Sequence, residues 1–206
     1  MHADYFPVSV AAGLTGFIRL LAGFGVRWVG CRPDARQRIY FANHTSHLDA
    51  FVLWHALHPA ARARTRPVAA RDYWNANGLR RFLAQKVCRA VFVERRDAAV
   101  RHGNPLDPLL GALANGRNSL ILFPEGTRGI GPDAGPFKSG LYYLAKQRPD
   151  VELVPAFIEH RGGAAAGGGF LPGGLSFGAP LRLEPDEEKF DFLSRARAAV
   201  NGLRMA

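Results

Sequence analysis

Two short, largely apolar runs, each broken off by a polar turn, constrain this chain more than any other feature. Residues 38–43 (RIYFAN) lead straight into HTSHLD, and residues 119–123 (SLILF) lead straight into PEGTRG. Runs of this length are too short for buried helices and suit strands, SLILF being the clearest buried one. Around them strand-like and helix-like pieces alternate. Helices are expected at 46–57 (capped by Thr45 or Ser46), 73–86, 108–114 and 137–147, and further strands at 67–70, 91–95 and 153–158. Residues 161–174, rich in Gly and Ala, read as a loop, and 175–183 contains another strand. The acidic cluster 184–188 opens a last helix, whose apolar stripe is Leu193, Ala196, Val200 and Leu203. The alternation predicts an α/β fold: a mixed, largely parallel sheet flanked by helices.

The head of the chain reads differently. Val8 to Ile18 is apolar or small apart from Ser9 and Thr15, but Arg19 and Arg27 interrupt any longer run. A spanning helix needs about 20 apolar residues, so a transmembrane segment is not the expectation. A signal peptide puts positive charge before its apolar run, and this head carries His2 and Asp4. On a helix, Leu14, Phe17, Ile18, Leu21 and Trp28 share one stripe with Arg19 and Arg27 opposite. That pattern suits an amphipathic helix in a membrane interface, favoured here over one packed on its own domain because the head contains no competing strand or motif. The expected organisation is an N-terminal interfacial segment, residues 1–34, before one catalytic domain, residues 35–206. A chain of 206 residues is long enough to bury a core and short for two domains.

Charge narrows the partners. Lys and Arg number 27 against 17 Asp and Glu, and between Arg62 and Arg101 eleven basic residues meet only three acidic ones. Such an excess draws anionic partners, from headgroups and coenzymes to nucleic acid. No recognisable nucleic-acid-binding module accompanies it. The two cysteines, Cys31 and Cys88, form neither a CxxC pair nor a metal-ligand spacing.

The chemistry-bearing residues sit in the two turns. In Asn43-His44-Thr45-Ser46-His47-Leu48-Asp49, His44 lies at the turn and Asp49 about one helical turn in, so the two side chains can meet. A carboxylate on one imidazole nitrogen fixes the tautomer and leaves the other free to take a proton. No protein nucleophile stands beside it, so the hydroxyl to be activated would come from a substrate. Two other readings remain open. Asp49 alone would serve as a first-turn dipole partner, and His44, His47 and Asp49 together resemble a metal set, though H-x-x-H-x-D is not the usual H-x-H-x-D-H of metallo-hydrolases. In Phe123-Pro124-Glu125-Gly126-Thr127-Arg128-Gly129, Pro and two glycines make a tight turn whose amides can approach an anion. Arg128 adds a planar fork suited to phosphate, and Glu125 would orient it or bind a hydroxyl.

Together NHTSHLD and FPEGTRG resemble the glycerolipid acyltransferase superfamily, which includes 1-acylglycerol-3-phosphate acyltransferases. The resemblance runs from about Arg38 to about Leu183. Phe92-Val93-Glu94-Arg95 is similar to the family's second block, giving Arg95 a phosphate-binding place. Phe137-Lys138-Ser139-Gly140 matches a stretch that follows the third block. Val154-Pro155-Ala156-Phe157-Ile158 resembles the fourth, which implies Val154, Pro155 and Phe157 near an acyl pocket. Where many members carry a lysine, Val68-Ala69-Ala70-Arg71-Asp72 places Ala70; whether the neighbouring Arg71 takes that lysine's part is left open, since a planar guanidinium does not reproduce an ammonium's geometry by itself.

The resemblance implies transfer of an acyl group from acyl-CoA or acyl carrier protein to the hydroxyl of a lysophospholipid, 1-acylglycerol-3-phosphate by default. His44 and Asp49 would be catalytic, and Arg95, Glu125, Gly126, Thr127 and Arg128 would bind substrate. No metal and no cofactor beyond the co-substrate are expected, and the setting would be an anionic membrane's cytoplasmic face, peripheral or monotopic. A metal-dependent hydrolase on His44, His47 and Asp49, and a non-catalytic anionic-lipid-binding protein, are the rival classes.

Overall fold

The computed structural model describes residues 25–46, 48–71, 88–93, 104–160 and 172–204, with Phe82 and Lys86. The amphipathic stripe before residue 25, most of the helix expected at 73–86, the phosphate-binding place of Arg95 and the would-be ligand His47 lie outside the described residues.

Seven strands are described: β1 (Gly25–Trp28), β2 (Arg38–Ala42), β3 (Thr65–Ala70), β4 (Val91–Val93), β5 (Ser119–Leu122), β6 (Glu152–His160) and β7 (Pro172–Phe177). They form one sheet in the order β1-β7-β6-β2-β5-β3-β4, parallel throughout except for the antiparallel pair β6 and β7. The described helices are α1 (Asp49–Ala56), α2 (Pro59–Arg62), α3 (Asp107–Leu113), α4 (Gly140–Gln147) and α5 (Lys189–Asn201). The mixed, mostly parallel sheet with flanking helices is the architecture expected from the alternation.

β2 lies at the centre and buries all five of its residues. Strand side chains alternate between faces. Ile39 and Phe41 therefore pack with Leu120, Leu122, Leu141, Leu144 and Phe192. Tyr40 and Ala42 pack with Ile121, Val154, Ile158 and the α1 residue Leu53 on the other side. A strand covered on both faces needs apolar residues at nearly every position, which is why SLILF carries no alternation. The one charge in β2, Arg38, is fully buried and paired. It donates to Glu152 (Nε to Oε2, 3.0 Å) and to the Arg32 carbonyl (2.8 Å), and it lies 3.2 Å from Asp34.

Residues 25–28 form a strand where the sequence suggested the end of a helical head. Gly25 is a poor helix residue, and β7 offers an edge along which Gly25 to Trp28 pair with Gly174 to Phe177. Trp28 stacks on Phe177 (centroids 4.0 Å apart), and Arg27 donates to Ser176 Oγ.

Three helix starts fall later than expected: α5 begins at Lys189, beyond the acidic cluster 184–188, and two others are delayed for a local reason. The Thr45 and Ser46 amides are taken by the Asp49 carboxylate, so α1 begins at Asp49 without a side-chain cap. The Lys138 amide donates to the Pro124 carbonyl at 2.8 Å, which ties 137–139 to the preceding turn and delays α4 to Gly140. β7 begins at Pro172, inside the expected loop, because antiparallel pairing with β6 extends it.

Candidate active site

β5, β2 and β6 are parallel neighbours, so the residues after their C-terminal ends collect along one edge of the sheet. This is where α/β sheets place ligands. Asn43, just past β2, is buried and fastens that edge. Its amide donates to the Ile158 carbonyl (3.0 Å) and accepts from the Ile158 N–H (2.8 Å). The side chain thus imitates one more peptide in the ladder between β2 and β6.

His44 comes next, and the structure brings it onto Asp49: Nδ1 lies 3.0 Å from Oδ2. Asp49 is 0 % exposed and His44 21 %. The same Oδ2 accepts the Thr45 N–H (2.7 Å) and the Ser46 N–H (2.8 Å). The sequence suggested that Thr45 or Ser46 would cap the helix; instead the helix's first carboxylate gathers the turn. Burial pushes the Asp49 carboxyl up, but His160, His44 and the Ser46 amide outweigh it, and the group is held below the ordinary carboxylate range. An ionised carboxylate only accepts, so Nδ1 carries the hydrogen and Nε2 of His44 is left as a base. The His44 ring also lies flat on Phe123 (centroids 4.2 Å, 19° between planes), which fixes its orientation.

The second turn is built onto the first. Glu125 is buried at 6 % exposure. Its Oε1 accepts the His44 N–H (2.9 Å) and its Oε2 accepts the Gly135 N–H (2.9 Å). The Gly129 N–H donates to the His44 carbonyl at 2.7 Å, so both backbone groups of His44 are held by the FPEGTRG turn. Glu125 was expected to bind substrate or orient Arg128; both of its oxygens in fact face backbone amides, and the described geometry is that of a strut. The carboxylate needs bare backbone beside it, since a Cβ at Gly135 would stand 2.9 Å from Oε2.

Gly126, Thr127 and Arg128 are exposed at the crest of this turn. Gly126 has φ +68°, a conformation that favours glycine, and a Cβ there would come within 2.7 Å of Lys138 Nζ. Lys138, part of the Phe137-Lys138-Ser139-Gly140 stretch, therefore lays its side chain over Gly126. Val154, Pro155 and Phe157 are all buried in the core. Val154 faces the α1 side and Phe157 the opposite side, as strand alternation requires. Ala70 ends β3, and the Arg71 guanidinium stands 5.7 Å from the Phe92 ring centre.

His160 is the residue that the sequence did not single out. It ends β6, and its Nε2 approaches Asp49 Oδ1 to 3.2 Å. The metal alternative would need His47, outside the described residues. Among the described residues no three His, Cys, Asp or Glu side chains are grouped to hold a metal ion.

The arrangement is an imidazole base, oriented by a buried carboxylate, beside a turn with backbone amides and cations. The family model described as Acyltransferase matches residues 30–159, which include both turns and nearly all of β6. The chain belongs to the acyltransferase family. Two curated members of similar sequence are the 1-acyl-sn-glycerol-3-phosphate acyltransferases of Limnanthes douglasii and Limnanthes alba, each 28% identical over 149 residues. These alignments cover 69% of this chain and 48% of theirs, so the chain spans about half the length of the curated relatives it matches. The fold is also that of a solved family structure, the 1-acyl-sn-glycerophosphate acyltransferase PlsC from Thermotoga maritima. The TM-score is 0.62 at 20% identity, covering 96% of this chain and 79% of that one.

Proposed function

We propose that this family member transfers a fatty acyl group from a thioester donor to the free hydroxyl of a lysophospholipid, with 1-acylglycerol-3-phosphate as the first acceptor to test. The contact between His44 Nδ1 and Asp49 Oδ2, at 3.0 Å beside the FPEGTRG turn, carries the reading. His44 Nε2 takes the acceptor's hydroxyl proton as its oxygen attacks the thioester carbonyl carbon. The carbon–sulfur bond then breaks, and the imidazolium returns the proton to the departing thiolate. Asp49 stabilises the imidazolium between these steps. General base catalysis of this kind contributes about a hundred- to ten-thousand-fold. Arg128, Lys138 and the amides around Gly126 would hold the acceptor phosphate, which fixes the hydroxyl before His44. Arg95 would join them.

Acyl-CoA and acyl carrier protein are both suitable donors. The test is thiol release from one acyl-CoA, and from the matching acyl carrier protein, against a panel of lyso-acceptors. Release that depends on a lysophospholipid supports the proposal, and release to water alone refutes it. We also propose a peripheral or monotopic site on the cytoplasmic face of an anionic membrane, supported by the basic stretch and the N-terminal amphipathic pattern. Among the described residues no helix is long and apolar enough to cross a membrane. Sedimentation with anionic but not neutral liposomes is the expected result.

A further inference from the structure

Asp49 has two oxygens, and the reaction just described uses one. Oδ2 receives His44, Thr45 and Ser46. Oδ1 is buried and makes no aligned hydrogen bond, and the same is true of His160 Nε2, which stands 3.2 Å away. An ionised oxygen buried without a partner is costly, and the polar atom the fold brings to it is that imidazole nitrogen.

The approach is built by the strands. Ile158 packs in the same core cluster as the α1 residue Leu53, and His160 lies two positions further along β6, so alternation turns it toward α1 and Asp49. Asn43 holds Ile158 beside the end of β2 through two hydrogen bonds. The pairing of β6 with β7 shifts register between Glu159 and His160, but the extra residue, Gly173, lies on β7, so the alternation along β6 carries through to His160. His160 is itself only 15 % exposed.

We propose that His160 is a positioning residue: its Nε2–H faces Asp49 Oδ1 and keeps the opposite oxygen on His44 Nδ1. This rests on the acyl-transfer reading for its kinetic consequence, though not for its structural one. A carboxylate that meets an N–H at each oxygen resists turning away from His44 and is a poorer proton acceptor when the imidazolium forms. Held on Oδ2 alone, it resists both changes less.

The test compares His160→Gln, His160→Asn and His160→Leu in the full chain. Glutamine carries an N–H about as far from the backbone as Nε2, asparagine is too short, and leucine has none. With a working thioester and acceptor, H160N and H160L lose roughly ten-fold or more in kcat with KM within two-fold, and H160Q recovers most of it. The second readout needs no turnover. In protein labelled with 15N-histidine, the His44 Nδ1–H resonance keeps its downfield position in H160Q and moves or broadens in H160N and H160L. If H160L does not fold, the Gln and Asn variants carry the comparison. Wild-type kcat and an unmoved resonance in H160N overturn the inference, as does equal loss in all three variants, which would mark a packing role. A wild-type chain without acyl transfer would refute the proposed function, and the resonance would still decide the role of His160.

Discussion

Replacing Glu125 with glutamine changes one charge and one acceptor at the joint between the two turns. The native carboxylate accepts two N–H groups, from His44 and Gly135, each at 2.9 Å. Glutamine has one oxygen and one NH2, so one backbone amide keeps a neutral bond and the other faces a second donor inside a buried joint. A hydrogen bond to a charged group contributes about 1.5–3 kcal/mol, and an orphaned buried donor costs a similar amount. Relaxation recovers part of this, which leaves a net loss of about 2–3 kcal/mol. For a chain of 206 residues this lowers the melting temperature by roughly 4–12 °C. Because the His44 N–H is among the bonds disturbed, kcat should fall roughly ten- to a hundred-fold with the acceptor KM little changed. Thermal and urea unfolding give the first number, and thiol-release kinetics the second. Unchanged stability together with a raised KM for the acceptor would refute the reasoning and return Glu125 to the substrate.

Three further outcomes follow from the same geometry. The Asp49 carboxyl is held below its ordinary range, so its ionised form contributes stability that is complete above its unfolded pKa, roughly pH 4, and is lost as pH falls through the lower folded value. The stability gap between wild type and Asp49→Asn, measured by urea unfolding at pH 5, should therefore close below about pH 4; a gap that does not change with pH contradicts this. Gly126→Ala should cost about 1–3 kcal/mol from the φ of +68° and displace Lys138, read as a shifted denaturant midpoint, and an unshifted midpoint would mean that the turn conformation is not required. Cys88 is buried with its thiol pushed up to about 12, so in native protein a thiol reagent should titrate Cys31 and reach Cys88 only on unfolding; rapid native reaction of both contradicts that.

The parts of the molecule legible in the sequence were those specified locally. RIYFAN and SLILF are short, apolar and ended by turns, and both became strands at the centre of the sheet. His44 and Asp49 are five residues apart, a spacing that a turn followed by one helical turn brings together. β1 was not legible, because Gly-Val-Arg-Trp has no strand signal of its own and becomes a strand only by pairing with residues 174–177. The direction of Glu125 was not legible either, since a carboxylate in a tight turn reads the same whether it faces a ligand or the amides beneath it. His160 escaped for a third reason. Its contact with Asp49 spans the chain from α1 to β6 and depends on strand order, which leaves no mark in the residues around position 160.

The account turns on His44 acting as the base. Thiol release from acyl-CoA should be followed with 1-acylglycerol-3-phosphate as acceptor, comparing wild type with His44→Ala at matched thermal stability. The expected result is loss of acceptor-dependent release by at least about a hundred-fold, with the fold intact. Acceptor-dependent release that persists at the wild-type rate in the alanine variant would contradict the account.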